Sequence, residues 1–198
     1  MKQESIFESH VDEYEQWFQE HSCLFAAEIA AIREVLPTSG VGLEIGVGSG
    51  LFASALGIKY GVEPSAAMRK KAESRGVHVF DGVAERLPFK TAMFDFAVMI
   101  TVDCFLTDVW QSFQEAFRIL VPQGCFVIAF IDSATRLGDA GRLPCGCGTT
   151  NHLCVRKSYS GNKARNRRGC LWSDQGPEDG SGWICRIIDC LKKYRSVL

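Results

Sequence analysis

The sequence predicts an α/β fold: a doubly wound, mostly parallel sheet with helices on both faces. Three observations predict it. Along the first 137 residues, short apolar runs alternate with segments of helical period, the pattern of strands joined by helical crossovers. A glycine-rich turn, with Gly46, Gly48 and Gly50, closes the first apolar run. An acid, Glu63, closes the second. The length of 198 residues suits one domain, at roughly 100–200 residues each, and a chain of this size buries about 70% of its unfolded surface without staples.

The elements follow in order. From about Ser9 to Leu36 the chain reads as one helix, because Val11, Tyr14, Trp17 and Phe18 share a face with acids between them, and Pro37 ends it. Val41 to Val47 is a first strand, Ile58 to Glu63 a second, and Val77 to Phe80 a third. Between the last two, Ala66 to Arg75 is a helix entered through Pro64-Ser65. Phe94 to Thr101 is a fourth strand and Val109 to Leu120 an amphipathic helix. A turn at Val121-Pro-Gln-Gly124 leads into a fifth strand, Cys125 to Ile131, which is almost uninterrupted in its apolar character. Beyond Gly138 the periodicity is lost, and only Trp183 to Tyr194 resembles an element, a short helix.

Composition divides the chain at the same place. Residues 1–137 hold 11 Lys and Arg against 18 Asp and Glu, a net of −7, whereas residues 138–198 carry a net of +6. All 13 Phe lie at or before Phe130, while six of the nine Cys follow Leu137. The overall charge of −1 is therefore a cancellation. The division is an acidic packed domain, 1–137, and a Gly/Cys/Arg-rich tail, 138–198, poorly structured or aberrant. A shifted reading frame or a misjoined segment fits the abrupt change, and sequencing the coding DNA across codons 136 to 145 tests it. In a second reading, Cys145, Cys147, His152 and Cys154 supply thiolate and imidazole ligands to zinc; the spacing is tighter than that of the usual zinc modules, so no metal is assigned. A disulfide-rich secreted appendage is a third reading, opposed by an N-terminal stretch that is acidic and unlike a signal peptide. The chain is expected to be cytoplasmic. No run of about 18 apolar residues is present to form a membrane-spanning helix.

The strongest chemical signal is Leu43-Glu-Ile-Gly-Val-Gly-Ser-Gly50. Glycines let the backbone turn sharply and approach a ligand closely. The spacing is G-x-G-x-G, with Leu at position 51, which disfavours the dinucleotide fingerprint and pyrophosphate binding. Glu44, two positions before the first glycine, suits a ligand bearing an ammonium group. Glu63 follows 19 residues after Glu44, at the end of the next strand, where a carboxylate can accept both hydroxyls of a ribose. The plainer readings are a tight strand-to-helix turn and a solvated strand-end acid.

Five motifs in order, L-E-I-G-V-G-S-G, G-V-E-P-S (Gly61 to Ser65), G-V-A-E-R-L-P-F (Gly82 to Phe89), F-D-F-A-V-M-I-T (Phe94 to Thr101) and R-I-L-V-P-Q-G (Arg118 to Gly124), resemble those of class I S-adenosylmethionine-dependent methyltransferases. The likeness is to the small ubiquinone-biosynthesis-like type, with a Rossmann-like sheet, and covers about residues 7–137. The resemblance implies S-adenosyl-L-methionine as cofactor. It implies that Gly46, Gly48 and Gly50 pack against the methionine part, with Glu44 orienting the loop and helping to hold the amino group. Glu63 would take the ribose hydroxyls, and Val83 and Ala84 would lie along the adenine edge. Thr101 would face the sulfonium, and Tyr14, in a helix folded over the site, would contact the methionine carboxylate or serve only as a core aromatic. Many relatives have Asp where this chain has Val83, so adenine recognition would rest on backbone and apolar contacts, or on Asp81 reaching in.

The implied reaction is an in-line methyl transfer to an unidentified small molecule. It needs positioning more than acid–base chemistry. No catalytic residue is assigned: His10, His21, Asp103 and Asp108 are read as surface or capping residues. The alternatives are a non-catalytic cofactor-binding module or inactive relic, and a nucleotide-binding oxidoreductase. Nucleic acid is disfavoured as a partner, since the front domain is acidic and lacks a base-flipping motif. The family's usual ending, a helix and two further strands, is not evident, so the C-terminal strands are expected to be missing or aberrant. An incomplete sheet would leave the fifth strand as an apolar edge and a site for homodimer formation.

Overall fold

The computed structural model describes residues 6–131 and 153–159. A short 3-10 turn, Ile6–Glu8, precedes two helices, α1 (Val11–Glu20) and α2 (Ser22–Val35). The single helix expected over this stretch is thus broken at His21. That residue leaves helical geometry (φ −109°, ψ 37°), its ring stacks on Trp17 at 4.4 Å, and its Nδ1 lies 2.8 Å from the Trp17 carbonyl. The chain then alternates: β1 (Gly42–Ile45), α3 (Leu51–Leu56), β2 (Tyr60–Val62), α4 (Ala66–Ser74), β3 (His78–Phe80), β4 (Phe94–Ile100), α5 (Val109–Ile119) and β5 (Leu120–Ile131). A last strand, β6 (Leu153–Tyr159), lies in the stretch whose sequence shows no convincing strand.

The sheet order is β3-β2-β1-β4-β5-β6, with β1 to β5 parallel and β6 antiparallel to β5. This is the doubly wound arrangement expected. Crossing from β1 to β2 on one side and to β4 on the other creates a switch point at the carboxyl end of β1, where the glycine turn emerges. Two corrections follow from β6. It pairs with β5 from Cys125↔Tyr159 to Ile131↔Leu153, so β5 is not an edge, and the exposed-edge argument for a homodimer does not hold. It also supplies an antiparallel strand where the ending was expected to lack one. The expected helix from Trp183 to Tyr194, the change at Gly138 and the candidate ligands Cys145, Cys147 and His152 lie outside the described residues; Cys154 stands in β6. Among the described residues there is no group of three or more His, Cys, Asp or Glu that could hold a metal. Nor is any described helix long and apolar enough to cross a membrane.

Burial follows the strand pattern. From Phe96 onward alternate residues of β4 face opposite layers: Ala97 and Met99 pack with Leu43, Ile45, Phe113 and Phe126, and Phe96, Val98 and Ile100 pack with Ile29, Ile32, Phe52 and Val127, while Phe94, before the register shift, joins the first layer. Asp108 caps α5, its Oδ1 accepting from the Gln111 N–H at 3.0 Å, and Ser65 caps α4 by accepting from Met68 N–H at 3.3 Å.

The N-terminal helix is anchored by charge. Glu15 of α1 is buried, and its Oε2 accepts from Arg75 Nη2 at 2.8 Å with Lys71 Nζ at 3.4 Å. Burial pushes this carboxyl up, but the Arg75 hydrogen bond and the two cations outweigh it and hold it below its ordinary value. Arg75 also donates to the Ser49 carbonyl at 2.9 Å, so one guanidinium joins α1, the end of α4 and the glycine turn. Arg75→Ala leaves Glu15 with Lys71 alone, and is expected to lower stability by about 2 kcal/mol in urea unfolding at pH 7.

Candidate functional site

The carboxyl ends of β1 and β2 bring the chemistry-bearing residues together. The turn after β1 is held by Gly46 and Val47 N–H groups donating to the Val62 carbonyl, at 2.8 and 3.0 Å. Gly48, with φ +53°, presents its N–H to Glu63 Oε2 at 3.0 Å. A Cβ placed on Gly48 would meet only the Tyr14 hydroxyl, at 3.7 Å, so the backbone there borders open space. Gly50 differs: at φ +82°, a Cβ would lie 2.9 Å from the Ala72 Cα, so it serves close packing of the turn on α4.

Glu63 is buried, not solvated. Its second oxygen accepts from the Ser65 N–H at 2.9 Å, and desolvation, outweighing these hydrogen bonds and the Arg69 charge, raises its carboxyl. Each carboxylate oxygen retains a lone pair beyond the one in use. Glu44 is 2% exposed in β1, and its Oε2 has no partner among the described residues. Burial drives Glu44 well above the usual carboxylate range, opposed by a hydrogen bond from the Ala53 backbone and reinforced by Glu63. A polar atom this deeply buried costs roughly 1–3 kcal/mol when it has no partner.

Tyr14 reaches this centre from α1. Its phenol is raised above the ordinary value by burial and then by Glu44, Glu63, Glu15 and Glu28. Glu28 had no place in the sequence reading. It stands on the inward face of α2 with Phe25, Ile29 and Ile32, is half-buried, and is pushed up to about 7 by burial. The pattern that marks it is an acid at an apolar position of an amphipathic helix. Its unfolded value is near 4.5, so the native state binds more protons between pH 4.5 and 7, and stability falls as pH rises through that window. Glu28→Gln is expected to stabilise the chain at pH 8 by about 1–2 kcal/mol, after discounting for partial exposure, and to leave it unchanged at pH 4. Thermal melts at the two pH values check this.

The remaining candidates are spread around the same edge. Thr101 follows β4 in a left-handed conformation (φ +52°), with its N–H donating to the Ala129 carbonyl at 2.7 Å. Val83 is exposed and Ala84 buried, in the loop after β3. Asp81, the alternative adenine acceptor, pairs through Oδ1 with Arg69 Nη1 at 3.0 Å. Asp103, expected at the surface, is buried.

Known proteins match this region. Residues 43–128 fit the family model of a methyltransferase domain. A crystal structure from Thermotoga maritima, described as an S-adenosylmethionine-dependent methyltransferase and possible histamine N-methyltransferase, is 47% identical with a TM-score of 0.63, covering 64% of this chain and 61% of that one. The described domain belongs to the class I S-adenosylmethionine-dependent methyltransferase family. An uncharacterized protein of Methanocaldococcus jannaschii is 40% identical over 134 residues, which are 68% of this chain and 65% of that protein. One of Mycobacterium tuberculosis is 36% identical over 146 residues, 72% of this chain and 51% of that protein. The chain therefore spans about half to two thirds of the length of these relatives.

The residues present fit the family's cofactor. The unsatisfied Glu44 oxygen asks for a cationic donor, the open side of Gly48 admits a ligand against the backbone, and Glu63 is fixed with acceptor capacity to spare. Val83, at the expected adenine edge, is an exposed apolar side chain, as is Phe80.

Proposed function

We propose that this chain is a methyltransferase that acts on a small molecule, with S-adenosylmethionine held across the ends of β1, β2 and β4. The observation that carries the reading is the buried, unpartnered Glu44 oxygen next to a glycine turn whose open side borders Gly48. In this reading Glu44 receives the cofactor's amino group, and Gly46, Gly48 and Gly50 shape the backbone against its methionine part. Glu63 accepts the ribose hydroxyls while its bonds to Gly48 and Ser65 keep the carboxylate aimed. Val83 and Ala84 border the adenine, Thr101 faces the sulfonium, and Tyr14 closes over the methionine end.

When bound, the cofactor supplies an activated methyl group together with its own leaving group. The protein's part is to orient and to exclude water. α1 covers the glycine turn through the Glu15–Arg75 pair, and Phe7 joins Tyr14 to Phe105 in edge-on contacts, with ring centroids 5.9 and 5.0 Å apart. Holding two reactants in line supplies much of the rate enhancement without an acid or base.

Incubation with methyl-labelled cofactor and a panel of small oxygen, nitrogen and sulfur nucleophiles tests the reading. Label is expected in at least one class of acceptor, and less in Glu63→Ala. Tight cofactor binding with no acceptor labelled would favour the non-catalytic module instead. We also keep the cytoplasmic location and the division at Gly138 as proposals; the latter rests on the loss of Phe and the rise in Gly and Cys.

A further inference from the structure

Two valines hold the glycine turn sideways, each resting on a glycine of the neighbouring chain segment. Val47, inside the turn, packs on Gly61 of β2, where a Cβ would lie 2.6 Å from its Cγ1. Val102, two residues beyond β4, packs on Gly46, where a Cβ would lie 2.5 Å from Cγ2 and 2.9 Å from Cγ1. Carbon atoms settle at about 3.5–4.0 Å, so only glycine admits the isopropyl group at either place. The two steps run in series across the carboxyl ends of β4, β1 and β2. With the Gly46 and Val47 N–H groups on the Val62 carbonyl, they fix where Gly48 stands.

Val102 is the braced member of its pair. Thr101, just before it, takes the left-handed conformation (φ +52°), which a β-branched residue avoids and which persists only where its surroundings over-determine it. The Thr101 N–H donates to the Ala129 carbonyl of β5 at 2.7 Å, and the Val102 carbonyl accepts from the Phe105 N–H at 2.9 Å. Between these two bonds Val102 (φ −95°, ψ −19°) leads from the strand end into the 3-10 turn Asp103–Phe105. Its side chain is half-buried and packs against the core layer that contains Leu43 and Ile45 of β1.

The structure assigns Val102 as a positioning residue of the cofactor site: its isopropyl group on Gly46 sets the glycine turn against β4, and so places the Gly48 backbone that meets the ligand. Val102 acts through Gly46 and needs no contact with the ligand itself. The assignment rests on the methyltransferase reading above, in which this turn holds the methionine part of S-adenosylmethionine. Val102→Ala removes both methyl groups that touch Gly46 and leaves the turn free to settle toward β4.

Calorimetric titration of the full chain with S-adenosylhomocysteine, paired with thermal melts, tests it. Val109→Ala is the control. Val109 is also half-buried, packs against the same core layer and loses the same two methyl groups, but it stands on α5 and is not among the nearest neighbours of the turn's glycines. Both truncations are expected to lower the melting temperature, by about 2–4 °C each. Val102→Ala is expected to weaken S-adenosylhomocysteine about tenfold, and Val109→Ala by less than about twofold. Val102→Ile keeps both groups that touch Gly46 and is expected to bind within about threefold of wild type. A reciprocal pair reads the contact itself. Gly46→Ala drives a Cβ into Val102 and is expected to weaken binding about 100-fold or more; adding Val102→Ala opens the space, and the double variant is expected to bind at least about tenfold more tightly than Gly46→Ala alone. Independent sites would add their losses instead. Val102→Ala binding no more weakly than Val109→Ala would overturn the assignment, and so would a folded double variant that binds no better than a folded Gly46→Ala. If Gly46→Ala does not fold, the comparison of Val102→Ala with Val109→Ala decides. A wild-type protein that takes up no S-adenosylhomocysteine would overturn the methyltransferase reading, and this assignment with it.

Discussion

Gly48→Val is expected to abolish S-adenosylhomocysteine binding, by about 100-fold or more, while the protein stays folded. The left-handed backbone at φ +53° costs an L-residue roughly 1–2 kcal/mol, somewhat more for a β-branched one. Sterically the position is open, since only the Tyr14 hydroxyl lies near, at 3.7 Å. The added methyls therefore enter the space that a ligand must occupy against the Gly48 backbone, and do not enter the core. Gly50→Val makes the contrast. There the added Cβ meets the backbone of Ala72 at 2.9 Å, which cannot rotate away, and the expected result is a chain that folds poorly or not at all. Circular dichroism and calorimetry on the two variants distinguish a binding glycine from a packing glycine. Equal loss of fold in both would mean that the whole turn is structural.

Glu63→Ala is expected to act on both stability and binding. Its two oxygens satisfy the N–H groups of Gly48 and Ser65, so truncation leaves two donors short of an acceptor at a cost of about 2 kcal/mol. It also removes the acceptors for the ribose, which is expected to lower S-adenosylhomocysteine affinity about 100-fold, or ~2.7 kcal/mol. Glu63→Gln keeps one carbonyl oxygen but turns an amide N–H toward one of the two backbone donors, so it is expected to fall between wild type and Ala in both measurements. A Glu63→Ala protein that is destabilised yet binds normally would make this acid a brace for the turn and nothing more.

What the sequence revealed and what it concealed divide along physical lines. The central strands β1, β4 and β5 were legible because parallel strands buried on both faces are short apolar runs, and Gly, Pro and capping residues such as Ser65 and Asp108 punctuate the chain between strands. The break at His21 was not, since the apolar face continues across it and only the local ring stacking on Trp17 marks the bend. β6 was hidden because L-C-V-R-K-S-Y mixes apolar and charged residues, as an edge strand does, within a stretch of otherwise unpatterned composition. β5 starts earlier than its apolar run because Leu120 already pairs with Phe94, with a register shift before Phe96↔Cys125.

The site shows the same division. The glycine turn and the two acids at the ends of β1 and β2 are local in sequence and were readable as a set. The clamp from Glu15 to Arg75 joins residues 60 apart, and no local pattern encodes it. Glu28 could have been noticed as a charged residue on the apolar face of its helix, although its nearness to Tyr14 depends on how α1 and α2 fold back over the sheet.

The central claim is that the ends of β1 and β2 form a binding site for S-adenosylmethionine, and calorimetric titration of the intact chain with S-adenosylhomocysteine tests it most directly. The account predicts one site with micromolar affinity, lost in Gly48→Val and Glu63→Ala. A folded protein that takes up no S-adenosylhomocysteine, or one whose binding survives both substitutions, would contradict it.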